Sequence, residues 1–102
     1  MMAIPKRIWL RSMGALVTKK ILEDGEPIRF AERTEPDNPQ DSGWLFTAGT
    51  EDDDYMADTD NIAVVPIGWI LQKKDPKLED ILNEPIYSVF RREADSYVLD
   101  DE

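Results

Sequence analysis

A chain of 102 residues has material for one modest hydrophobic core and not for two, so the sequence predicts a single domain over 1–102. Its hydrophobic fraction of 41%, with three each of Trp, Tyr and Phe, can furnish that core, and the charged fraction of 33% then describes surface rather than disorder. The absence of Cys and His excludes disulfides, thiolate and imidazole metal sites, thiol nucleophiles and the His-based catalytic triads, and a net charge of −10 argues against binding to phosphate backbones.

The opening MMAIPKRIWLRSMGALV interrupts its apolar residues with Lys6, Arg7 and Arg11. No run approaches the roughly 18 apolar residues of a membrane span, so a cytoplasmic protein without signal peptide or anchor is expected. Residues 1–14 read as an N-terminal extension, 15–99 as the core and 100–102 as a frayed acidic tail. ALVTKKIL, EDGE and PIRFAERT read as a β-hairpin over 15–34, with Asp24-Gly25 supplying the positive φ of a tight turn. Ile28 and Phe30 alternate with Arg29 and Ala31, which allows one buried face while Arg29 and Arg33 reach water or a carboxylate. TEPDNPQDSG is turn-forming in composition and predicts a structured loop.

GWLFTAG then places Trp44, Phe46 and Ala48 on one face of a strand bounded by Gly43 and Gly49. IAVVPI is short, apolar and β-branched and predicts a buried strand that Pro66 ends or holds at an edge, followed by a brief helical turn in GWILQKK. In DPKLEDILNEP, Asp75 is a candidate N-cap, Pro76 sits at the first helical position and Pro85 stops the element, so a helix is expected near 76–83. Its Leu78, Ile81 and Leu82 make one apolar stripe, and IYSVFRRE with SYVL predicts a closing hairpin. The sum is an α+β fold: a mostly antiparallel sheet of five or six strands with one or two short helices packed on it.

Charge is distributed unevenly. From Thr34 to Gln72 there is no Lys or Arg, while nine carboxylates fall in that stretch, six of them between Glu51 and Asp60. Such a pole draws a basic protein partner; neither nucleic acid nor membrane is expected as one. The candidate partner-binding residues are therefore Glu51, Asp52, Asp53, Asp54, Tyr55, Met56, Asp58 and Asp60, in which the aromatic and the Met offer contact area and the acids select charge. The bland alternative is a solvated loop that serves solubility. A calcium loop of the EF-hand type fails in every register, because Met56 or Ile62 falls on a ligand position, and no metal site or cofactor is expected. A carboxylate pair for glycoside hydrolysis lacks any sign of two differing environments, so the protein is expected not to be an enzyme.

The runs EPDNPQDSGWLFTAGTEDDDYMADTDNIAVV and DPKLEDILNEPIYSVFRR carry a further signal. Asp41-Ser42-Gly43-Trp44, the Gly49-x-Glu51-Asp52-Asp53 step, Tyr55, Asp58 with Asn61, and Pro85-Ile86-x-Ser88-x-Phe90-x-Arg92 together resemble the domain of unknown function 2185. Members of that family are classed as immunity-protein-like domains of bacterial polymorphic toxin systems, and the resemblance spans about residues 15–92. It implies an α+β fold, a structural role for Asp41, Ser42, Gly43, Trp44, Gly49 and Asn61, and neutralisation of a toxin domain by binding. It brings no catalytic residues. A non-enzymatic acidic binding domain is thus the leading expectation. The alternatives are a Ca²⁺- or Mg²⁺-responsive acidic domain, a small carboxylate hydrolase and an uncharacterised housekeeping protein.

Overall fold

The computed structural model describes residues 11–100. Six strands, β1 (Gly14–Thr18), β2 (Phe30–Arg33), β3 (Asp41–Thr47), β4 (Ile62–Pro66), β5 (Val89–Glu93) and β6 (Ser96–Leu99), form one sheet in the order β4-β1-β3-β2-β5-β6. Every neighbouring pair is antiparallel except β1 and β3, which run parallel. Three short helices, α1 (Lys19–Leu22), α2 (Asp53–Ala57) and α3 (Ile67–Lys73), and 3₁₀ turns at Thr59–Asn61 and Pro76–Asp80 complete an α+β domain.

Side-chain alternation decides what each strand buries. Ala15 and Val17 of β1, Trp44 and Phe46 of β3, Ala31 of β2 and Phe90 of β5 lie in the core. The helical elements add Ile21 from α1, Ile67, Ile70 and Leu71 from α3, and Leu78, Ile81 and Leu82 from the segment that begins at Pro76. The α3 trio has the i, i+3, i+4 spacing of one helical face. Leu16, Leu45, Glu32 and Val89 face the other way in register, with Val64 beside Leu16 at the margin. Val64 is 73% exposed, so this second face of the sheet lies open at its β4 end.

Several expectations are corrected. There is no hairpin over 15–34, because β1 pairs with β3 and β4 and never with β2. Burying Ile21 turns KKIL into helix α1, and Gly25, at φ +76°, then lets the Glu26 N–H donate to the Lys20 carbonyl at 3.0 Å. The positive φ is present, but it closes a helix rather than a strand turn. In β2, Phe30 is on the open face while Ala31 is buried, and the half-buried Arg33 pairs with no carboxylate among the described residues: its guanidinium lies 5.8 Å over the Trp44 ring and donates to the carbonyls of Ser42, Leu82 and Glu84.

β4 is an edge strand ending at Pro66, as the proline allowed, but it is not buried, and α3 is a full seven-residue helix that starts directly after Pro66. The segment near 76–83 is a 3₁₀ turn over Pro76–Asp80 rather than an α-helix. Asp75 does cap it, its Oδ1 accepting from the Lys77 N–H at 3.0 Å. Pro85 offers no N–H to the Ile81 carbonyl four residues back, so Glu84 bonds there instead at 3.0 Å in the tighter pattern. The closing hairpin forms as expected from β5 and β6. Of the tail, Asp100 is held by Arg91 at 3.2 Å, while residues 101 and 102, like 1–10 of the expected extension, lie outside the described residues. Met13 packs into the core, and no helix among the described residues is long and apolar enough to cross a membrane.

Candidate functional site

The acidic segment begins where β3 ends. Gly49 turns the chain at φ +90°, and a Cβ there would stand 2.9 Å from the Phe30 ring, so the turn admits glycine alone. The reversal brings the Glu51 carboxylate back onto the strand ends. Its Oε2 accepts from the Ala48 N–H at 2.8 Å and the Thr18 hydroxyl at 2.6 Å, and its Oε1 from the Gly49 N–H at 2.9 Å. Partial burial pulls this carboxyl up, but the hydrogen bonds outweigh it and hold Glu51 below the usual carboxylate range. Thr18 is buried at the end of β1, so Glu51 is the clamp between β1 and the turn after β3.

Beyond the clamp the segment folds on its own carboxylates. Asp52 is the N-cap of α2, accepting from the Tyr55 N–H at 2.8 Å, and Asp58 caps the next 3₁₀ turn, accepting from the Asp60 N–H at 3.0 Å. Asn61 donates from Nδ2 to the Tyr55 carbonyl at 3.0 Å and ties the two turns together. Tyr55 and Met56 are half-buried, with Lys20 Nζ 5.3 Å from the centre of the Tyr55 ring. Asp53, Asp54 and Asp60 are exposed and enter no salt bridge among the described residues. The eight candidate residues therefore sort into three caps, two half-buried side chains and three displayed charges. The described residues contain no group of three or more acids arranged to hold a metal ion.

The residues at 41–44 build the opposite end of β3. Asp41 accepts from the Gly43 N–H and, through its other oxygen, from the Asp37 N–H, both at 2.9 Å. Buried Ser42 donates to the Gly14 carbonyl at 2.7 Å and accepts from the Trp44 N–H at 3.2 Å. Gly43 is at φ +85°, where a Cβ would sit 2.3 Å from the Thr34 carbonyl oxygen. Trp44 is fully buried, stacks on Phe46 at 6.0 Å and donates from Nε1 to the Leu82 carbonyl at 3.2 Å.

Two surface features escape a reading of the sequence. Asp37 and Asp41 line a groove of about 310 Å³ together with Leu16 and Val64. Tyr87, 67% exposed, holds φ +71° and hydrogen-bonds Glu35 beside the exposed Ile86. For Tyr87 a signal existed in the Pro85-Ile86-Tyr87 step, an apolar pair after a proline. For Asp37 there was none, since its groove exists only once β1 and β4 pair.

A family model described as "Immunity protein Imm33 domain" matches residues 15–100. That description differs from the domain 2185 expected from the motif residues and agrees with it in denoting immunity proteins. No curated protein and no solved structure matches the chain.

Proposed function

The chain belongs to the Imm33 family of immunity proteins, and from that premise we propose that it neutralises a cognate bacterial toxin by binding it through a basic surface rather than by catalysis. The toxin would act in the cytoplasm of the cell that carries both proteins, and the immunity protein would work there. The observation that carries the basic partner is the display of Asp53, Asp54 and Asp60 on a segment made rigid by the caps of Glu51, Asp52 and Asp58. Charges held in place lose little freedom when a partner arrives, which favours association and steers it. Tyr55 and Met56, half-buried between the acids, would supply the apolar contact. If the toxin is a nuclease, such carboxylates can occupy the positions where phosphates bind.

The experiment pairs the protein with the toxin domain encoded in the neighbouring reading frame. Co-expression in a sensitive host should restore growth, and Asp53→Asn/Asp54→Asn/Asp60→Asn should restore less at equal protein level and unchanged melting temperature. Its association with purified toxin should be slower and less sensitive to salt. Equal rescue and equal association rates by the triple variant would refute the role of the acidic segment, and absence of any rescue would refute the immunity reading for this chain.

A further inference from the structure

β1 and β3 run parallel, so the acidic segment after Thr47 and the Asp37–Asp41 loop stand at opposite ends of the same pair of strands. The second end forms a groove of about 310 Å³ whose lining includes Gly14, Leu16 and Val64 from the strands and Asp37 and Asp41 from the loop and the start of β3. It is built, not incidental. The Gly14 N–H donates to the Gln40 carbonyl at 2.8 Å and ties the loop to β1, and a Cβ on Gly14 would lie 2.7 Å from a Val64 methyl. Asp41 spends its oxygens on the Gly43 and Asp37 N–H groups, which fixes the backbone of Asp37 at the rim. The Asp37 side chain is exposed, and among the described residues no Lys or Arg lines the groove. Two acids are too few to hold a metal, and no metal-holding group occurs among the described residues.

What satisfies an apolar lining beside two carboxylates is a side chain that is apolar along its stem and cationic at its tip. A volume near the lower bound of about 300 Å³ for small-molecule pockets admits one such side chain rather than a strand or helix. We propose that this groove receives an arginine side chain of the partner protein, its stem on Leu16 and Val64 and its guanidinium against Asp37 and Asp41, where the planar fork matches a carboxylate edge better than an ammonium does. The inference rests on the binding function proposed above and adds a second contact, at the far end of the β1–β3 pair from the acidic segment.

N-acetyl-arginine methylamide, titrated into the ¹⁵N-labelled full chain, tests the groove alone. Saturable shifts are expected at the amides of Gly14, Leu16, Asp41 and Val64, with none from the neutral citrulline analogue. Asp37→Asn should weaken the titration by about threefold, while Asp53→Asn/Asp54→Asn should leave it unchanged. Shifts confined to residues 51–61, equal shifts with citrulline, or an unaltered titration in Asp37→Asn would overturn the inference. A silent groove together with successful toxin rescue removes this contact and keeps the immunity reading; a responsive groove with no rescue removes the immunity reading and keeps an arginine site.

Discussion

Replacing Glu51 tests whether the acidic segment is anchored or merely tethered. The carboxylate holds three donors, the N–H groups of Ala48 and Gly49 and the Thr18 hydroxyl, at 2.6–2.9 Å. Ala48 and Thr18 are fully buried, so Glu51→Ala leaves two donors with no access to water, at about 1–3 kcal/mol for each such group, while the Gly49 N–H turns to solvent at little cost. Part of this is recovered as the turn relaxes, and a net loss of about 2–4 kcal/mol is expected, a large share of the 5–15 kcal/mol typical of a domain. Glu51→Gln keeps one acceptor oxygen and should lose about half as much. Urea unfolding followed by tryptophan fluorescence reads both. The folded carboxyl lies below its unfolded value, so its contribution is whole above the usual carboxylate pKa and disappears as pH falls through the folded one. The difference between wild type and Glu51→Gln should therefore shrink on acidification from pH 5 downward. A Glu51→Ala variant with the wild-type urea midpoint would refute the clamp, and a wild-type-to-Gln gap constant with pH would refute its charge.

The remaining expectations concern the scaffold. Trp44→Ala should cost about 3–5 kcal/mol in urea unfolding, since the ring is fully buried against Phe46 and Phe90; a variant of wild-type stability would mean that this face of β3 is not core. Gly43→Ala combines a left-handed φ with a backbone oxygen 2.3 Å from the new methyl and should cost more than about 3 kcal/mol, so a melting temperature within a few degrees of wild type would contradict the geometry. Burial and the hydrogen bond to Asp75 both push the Tyr97 phenol up. The neutral phenol is then favoured by folding, a contribution whole below about pH 10 and lost as pH rises above it, because the unfolded chain ionises first. Melting temperatures of Tyr97→Phe should accordingly fall less steeply above pH 10 than those of wild type.

Local chemistry made some of this structure readable from residues alone. Trp44, Phe46 and Ala48 alternate between two glycines, and each is buried as that pattern requires. Asp75-Pro76 announces the start of a capped helical element near 76–83, and the cap forms, but the element is a 3₁₀ turn over Pro76–Asp80 rather than the expected helix. The hairpin over 15–34 was misread for a physical reason: a helix end and a strand turn both need the left-handed φ that Gly25 supplies, and KKIL is too short for any periodicity to choose between them. The parallel pairing of β1 with β3 is set by distant packing and leaves no local trace. Within the acidic segment the concentration of charge was plain, but its division into caps and displayed acids depends on the reversal at Gly49, which brings Glu51 within reach of Thr18, 33 residues away. Arg33 was expected to reach water or a neighbouring carboxylate; it is half-buried over Trp44, and its guanidinium donates to three backbone carbonyls rather than to a carboxylate.

Among the described residues β4 is the margin of the sheet, and a margin of unpaired backbone groups is a template on which a second copy can add its own strand. Pro66 withholds one donor from that template, while between Ile62 and Val65 alternate residues turn their N–H groups to β1 and the others present theirs outward. The obstacle to self-assembly is carried by what flanks the strand: Asp58 and Asp60 precede its entry, while at its exit Pro66 pairs with Gly14, whose other neighbour is Asp41 of β3. Copies joined in the same direction set like end against like end, and copies joined in opposite directions set entry against exit, yet negative meets negative in both cases. Charge placed at the two ends of one strand thus works against edge-to-edge addition of a second copy in either polarity.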